Sequence, residues 1–264
     1  MHIRGCVSTD AGTTRALCKD AAVLKVAASM RYGRIAFAVL CDGINDASHA
    51  GRTSALVAER FAAWFQEELP AILADAEEIL GEENKGRVLT EVLQSDHGRH
   101  SFTKRMFDAA EPAIRQRLAS IAGEVQVRLA GYKRLYRTDA ATRTSCLLLM
   151  GGEYLLMRIG SANALYAKGG EWRMLTGEES NAGPEDAAPA VPVFVRGYTE
   201  RRTGFLLCSD GFWRLQDKER LRKMLKKTIG ASERRMQHAL KVMTRFVRRR
   251  GERDDAFAVM LSVN

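Results

Sequence analysis

Four aspartates occupy positions from which chemistry can be built. Asp42 ends the apolar run F-A-V-L-C and precedes Gly43, and Asp210 ends F-L-L-C-S and precedes Gly211. Asp20 and Asp254 instead stand just before apolar runs, the second with Asp255 beside it. In an antiparallel sheet the end of one strand and the start of its neighbour share an edge, so this placement lets all four carboxylates meet. Hard divalent cations select clustered carboxylate oxygens, and Mg²⁺ or Mn²⁺ keeps water in its remaining positions. A glycine after a ligand aspartate lets a backbone carbonyl approach the ion. Arg15, closing T-D-A-G-T-T-R, lies in the loop leading to Asp20, and its planar fork of donors suits a phosphate. Singly, an Asp-Gly after a strand is usually a turn and a lone arginine is usually a surface residue. The constellation carries the reading.

Other chemistries find no support. His2, His49, His97, His100 and His238 have no metal-ligand spacing and form no Ser-His-Asp or Cys-His arrangement. Neither G-x-x-x-x-G-K-[ST] nor G-x-G-x-x-G occurs, which removes the nucleotide-loop readings. The five cysteines are widely spaced without a C-x-x-C pair, and Cys41, Cys146 and Cys208 sit in apolar runs. Buried free thiols are expected, rather than disulfides or a zinc site.

The elements that must position these residues follow from periodicity. Ile3 to Ser8, Ala21 to Ala28 and Ile35 to Cys41 read as strands, then Ala50 to Phe65 changes to a helical period. Pro70 opens a second helix to about Leu80, and residues 81–131 are charged and helix-favouring with an apolar stripe from Phe102 to Val125. Strands resume at Thr144 to Met150, Tyr154 to Ile159, Ala164 to Ala167 and Trp172 to Leu175, joined as hairpins by Gly151-Gly152 and Gly169-Gly170. A loop from Thr176 to Val193 precedes strands at Val193 to Thr199 and Gly204 to Ser209. Two basic amphipathic helices follow, and Ala256 to Val263 closes the chain as a strand. Sheet segments at both ends enclose the helical middle, so residues 1–264 are expected to form a single domain.

Composition limits the classes. The chain has 264 residues, 46% hydrophobic and 28% charged, with 5 prolines, which excludes collagenous and largely disordered proteins. It contains no apolar run of membrane-spanning length, and Met1 to Asp10 has no export pattern, so a cytoplasmic location is expected. Of the net charge of +9, Asp217 to Arg250 alone carries 13 Lys or Arg against 3 Asp or Glu, while the rest of the chain is close to neutral. A solvated basic face explains such a segment most simply, with nucleic acid, an anionic membrane face or an acidic partner as the functional alternatives. Only Phe246 interrupts it, which is not the aromatic interleaving of a single-strand nucleic-acid binder.

Five ordered segments resemble the metal-dependent serine/threonine protein phosphatases, the PPM or type 2C family. They are S-T-D-A-G-T-T-R-A-L-C-K-D, F-A-V-L-C-D-G-I, the pair S-C-L-L-L-M and Y-L-L-M-R-I-G-S-A-N-A-L-Y, F-L-L-C-S-D-G-F-W, and R-D-D-A-F-A-V-M-L. The resemblance implies an α+β fold, a four-layer α-β-β-α sandwich of two antiparallel sheets flanked by helices, with the metal centre at one edge. It implies that Asp42 bridges two Mg²⁺ or Mn²⁺ ions, that Gly43 lends its carbonyl, and that Asp210 and Asp254 complete one shell. Asp20 would act at the site's edge and Arg15 would hold the substrate phosphate. A metal-activated water would then hydrolyse phosphoserine or phosphothreonine in a protein.

The sequence also departs from the pattern. Lys19 replaces the Glu or Gln beside the metal-site Asp, where a cation should weaken ion binding or compete for Asp20. Asn45 and Asp46 replace paired glycines, with Gly51 one residue late, and Ile44 leaves no general acid after D-G. Ser161 and Arg214 replace carboxylates associated with a third ion. A phosphatase is the leading expectation; the alternative is a pseudophosphatase that binds phosphoproteins or a regulatory partner.

Overall fold

The computed structural model describes residues 2–13, 18–44, 47–83, 96–160, 163–175 and 191–264. In chain order the elements are β1 (Ile3–Ser8), β2 (Ala21–Ser29), β3 (Gly33–Ile44), α1 (Ala47–Glu67), α2 (Leu69–Glu83) and α3 (Asp96–Tyr136). There follow β4 (Ala141–Met150), β5 (Glu153–Ile159), β6 (Asn163–Lys168), β7 (Glu171–Met174), β8 (Val193–Tyr198) and β9 (Thr203–Cys208). The chain closes with α4 (Asp210–Trp213), α5 (Lys218–Thr228), α6 (Glu233–Arg249) and β10 (Ala258–Val263).

The strands form two five-stranded antiparallel sheets, ordered β1-β10-β9-β6-β7 and β2-β3-β4-β5-β8. β3 shows how the layers arise. Its residues are buried on both sides, with Ile35, Phe37, Val39 and Cys41 against Phe61, Trp64, Met106 and Phe107 of the helices α1 and α3. The alternate residues Ala36, Ala38 and Leu40 meet Leu207, Val259 and Leu261 of the opposite sheet. Beyond that sheet, Leu206 and Met260 pack on Leu225, Met236, Leu240 and Met243 of α5 and α6. The result is a four-layer α-β-β-α sandwich. Each large side chain so buried contributes about 1.5–3 kcal/mol.

Turn chemistry sets the register. Gly151 and Gly152 have φ of 61° and 94°, and Gly169 and Gly170 of 63° and 93°, the left-handed pairs that two-residue hairpins need. The run of hairpins is nevertheless broken in the middle. β5 pairs with β4 and β8, whereas β6 belongs to the other sheet, between β9 and β7. The last strand begins at Ala258 rather than Ala256, because the Ala256 amide donates to the Asp10 carbonyl and that of Phe257 to Ser209 Oγ. All five cysteines are free; Cys18 is part-buried and the other four are buried. Among the described residues no helix is long and apolar enough to cross a membrane.

Candidate functional site

The ends of β3 and β9 and the approaches to β2 and β10 fall on one edge of the sandwich. Asp42, near the end of β3, shares the inter-sheet face with Ala36, Ala38 and Leu40, and is only 6% exposed. Its Oδ2 accepts a hydrogen bond from the Asp210 amide at 3.0 Å, which joins the two sheets at this edge. Asp20, just before β2, is also buried, and its Oδ1 accepts from the Gly43 amide at 3.2 Å. Asp20 Oδ2 is buried with no hydrogen-bond partner among the described residues. Burial, with the negative Asp42 beside it, raises Asp20 well above the ordinary carboxylate range, and burial raises Asp42 too.

The other two carboxylates are already paired with cations. Asp254 Oδ1 lies 3.0 Å from Lys19 Nζ, and the Lys19 side chain is only 10% exposed. Burial alone would raise Asp254, but the Lys19 ammonium outweighs it and holds the group low. Asp210 Oδ2 accepts from an Arg143 guanidinium nitrogen at 2.8 Å, and Asp210 Oδ1 from Asn163 Nδ2 at 3.1 Å. Arg214 lies 3.4 Å from Glu252 and 3.9 Å from Asp254, so it forms salt bridges beside the edge. Lys19 therefore engages Asp254 and not Asp20, the partner expected from adjacency.

Backbone packing explains why Lys19 points where it does. Asp255 Oδ1 and Oδ2 accept from the amides of Gly12 and Lys19 at 2.7 and 2.5 Å, so the loop before β2 is tied to the loop before β10. A Cβ on Gly43 would stand 2.3 Å from the Lys19 carbonyl oxygen, and one on Gly51 2.2 Å from that of Cys18. These glycines give room to this same loop. That is the use of Gly51 despite its shifted position.

Arg143, Asn163 and Asp255 carry no motif of their own. Arg143 is legible only through register, because the β3–β4 ladder sets it directly opposite Asp42. Asp255 is signalled only by its place beside Asp254. Arg15, Asn45, Asp46, Ser161 and the loop residues 176–190 lie outside the described residues.

No protein-family model and no curated protein matches the sequence. Solved structures do match over the full chain. PppA, a key regulatory component of T6SS in Pseudomonas aeruginosa, is 15% identical with TM-score 0.64, covering 100% of this chain and 99% of that one. A substituted form of a bacterial serine phosphatase is 15% identical with TM-score 0.68, covering 100% of both. The catalytic domain of the serine/threonine protein phosphatase PstP, in complex with two manganese ions, is 18% identical with TM-score 0.58, covering 99% of both. The sandwich is thus the fold of the PPM-type serine/threonine phosphatases.

Whether this edge suits two dications is a question of charge. Among the described residues no group of three or more Asp, Glu, His or Cys is arranged to hold a metal ion. Two of the four aspartates already have a cation of the chain against them. Two unit charges 4 Å apart interact by about 4 kcal/mol at an effective dielectric near 20, so a dication near Lys19 or Arg143 is repelled by roughly 8 kcal/mol. Each of these side chains cancels about one carboxylate. The pair of dications fits this donor set poorly, and of the four aspartates Asp20 and Asp42 have no described cation within ion-pair distance.

Proposed function

We propose that this chain, as one PPM-type domain over residues 1–264, is a phosphatase-fold protein that recognises phosphoserine or phosphothreonine proteins chiefly by binding, a pseudophosphatase. One observation carries the reading. Lys19 and Arg143 are ion-paired with Asp254 and Asp210, the carboxylates that would otherwise complete a metal shell. Either side chain would serve an anion only by exchanging its carboxylate partner for it. Lys19 offers a compact charge and Arg143 a planar fork, the types that recognise phosphate. Arg15 is assigned to phosphate binding by the resemblance alone.

A second reading has its own support. Asp20 and Asp42 are buried together, and Asp20 Oδ2 has no donor among the described residues, which is suited to a single Mg²⁺ or Mn²⁺ held by one or two carboxylates. On that reading Asp42, Gly43 and Asp20 would hold the ion, with Asp210 and Asp254 joining only if Arg143 and Lys19 swing away. The ion would acidify a bound water, Arg15 would orient the phosphate, and the chain would be a slow metal-dependent protein phosphatase.

Phosphopeptide turnover and binding, measured on the same preparation across Mn²⁺ concentrations, separate the two. Binding without Mn²⁺-dependent phosphate release is expected, with weaker binding by Arg143→Gln. Mn²⁺-dependent release that Asp42→Ala abolishes would replace the first reading with the second.

A further inference from the structure

The outer layer formed by α5 and α6 carries a charge pattern that the sheet-edge site does not explain. Its inner face is apolar and covered, with Leu221, Leu225, Met236, Leu240, Met243 and Val247 buried against the sheet. Its outer face is basic. Lys226, Lys227, Arg234, Lys241, Arg245 and Arg249 are exposed, and none is ion-paired with a described residue. Arg234, Lys241, Arg245 and Arg249 stand at i, i+7, i+11 and i+15, which is one stripe along α6. A net positive field over two adjacent helices, with Glu219 and Glu233 confined to their first turns, attracts polyanions and favours association with a complementary surface.

Single-strand base stacking and insertion into a lipid layer lack what they would need here. Phe246, the sole aromatic of the segment, has the Arg220 and Arg250 guanidinium groups over its ring at 4.4 and 5.5 Å, so it is covered against a stacking base. None of the exposed large hydrophobic residues lies on α5 or α6, so nothing is available to insert below lipid headgroups. An acidic protein segment needs neither and meets the stripe by charge complementarity; a DNA duplex and an anionic vesicle, which also bind through charge, are the competing outcomes of the test. The layer also leads to the site. Arg248, at the end of α6, binds Asp10 and the Asp254 carbonyl, and α4, which begins with Asp210, runs through Arg214 into α5.

We propose that the α5–α6 face is a docking surface for an Asp/Glu-rich protein segment, which lies along the Arg234–Arg249 stripe and brings its own chain to the sheet-edge site. This goes beyond the proposed function and does not depend on whether the site turns over phosphate.

The test is fluorescence anisotropy of a labelled Asp/Glu peptide with the full chain in EDTA, alongside an Asn/Gln peptide of equal length, a DNA duplex and phosphatidylserine vesicles. The acidic peptide is expected to bind with an affinity that falls as salt rises, and more tightly than the other three. The variant R234Q/K241Q/R245Q/R249Q is expected to weaken it roughly tenfold, with an unchanged melting temperature and unchanged phosphopeptide binding at the site. Equal binding of the neutral peptide, or no loss in the variant, overturns the proposal. Tighter binding of the duplex or the vesicles also overturns it, in favour of that partner. Because EDTA removes divalent ions and Lys19 and Arg143 are untouched, failure here leaves the proposed function standing.

Discussion

Lys19 and Arg143 change what the four carboxylates can hold. A tethered ammonium 3.0 Å from Asp254 pays no translational cost, whereas an incoming dication must displace it or bear its repulsion. Lys19→Glu is therefore expected to raise Mn²⁺ affinity by about tenfold or more, measured calorimetrically or as a Mn²⁺-dependent gain in melting temperature. An unchanged affinity would mean that Lys19 does not oppose the ion. The aspartates are legible in sequence because residue type and strand-end position coincide. Arg143 is not, since a basic residue within a strand reads as solvent-facing until the ladder sets it opposite Asp42. The thiols follow from their surroundings. Burial pushes Cys6, Cys18 and Cys41 up to about 12, so native protein should react with iodoacetamide at pH 8 far more slowly than denatured protein. Rapid native labelling of more than the part-buried Cys18 would contradict this packing.

At the scale of elements, the strands show in the sequence because Ile35 to Cys41 of β3 is an unbroken apolar run and the Gly-Gly pairs demand positive φ. What periodicity does not carry is which sheet a strand joins. Nothing in the local pattern at Gly160, where φ is 77°, tells a hairpin from the crossing that takes β6 into the opposite sheet. The expected strand at Ala256 is shortened for a similar reason, because Asp10 and Ser209, remote in sequence, take those amides. Loop positions depend on missing side chains as well. Gly43→Ala places a methyl 2.3 Å from the Lys19 carbonyl, and is expected to cost roughly 1–3 kcal/mol in a denaturant melt; a neutral result would show that the loop yields freely. Ionic contacts add to the apolar packing of the helix α3. Glu68, following α1, is bonded to Arg117 of α3 and lies 2.9 Å from Arg60. The Arg117 hydrogen bond lowers Glu68 below its ordinary 4.5. A depressed carboxylate contributes stability that is complete above the unfolded value and is lost as pH falls through the folded one. Melts from pH 6 to pH 3 should thus fall less steeply for Glu68→Gln, and identical slopes would count against that contribution.

For the whole molecule, two interlocked sheets bring residues more than two hundred positions apart to one edge, as in the Lys19–Asp254 pair. The helices divide by sheet, with α1, α2 and α3 on one outer face and the basic α5–α6 layer on the other. The architecture is the phosphatase fold, while two of the four carboxylates at its edge are balanced by cations of the chain itself. The most direct test is a calorimetric titration of Mn²⁺ into metal-stripped, wild-type protein, followed by a phosphopeptide injection. No pair of tight sites is expected, at most a single weak one, with phosphopeptide binding that survives without metal. Two tightly bound ions, with phosphopeptide binding only after both are seated, would contradict it.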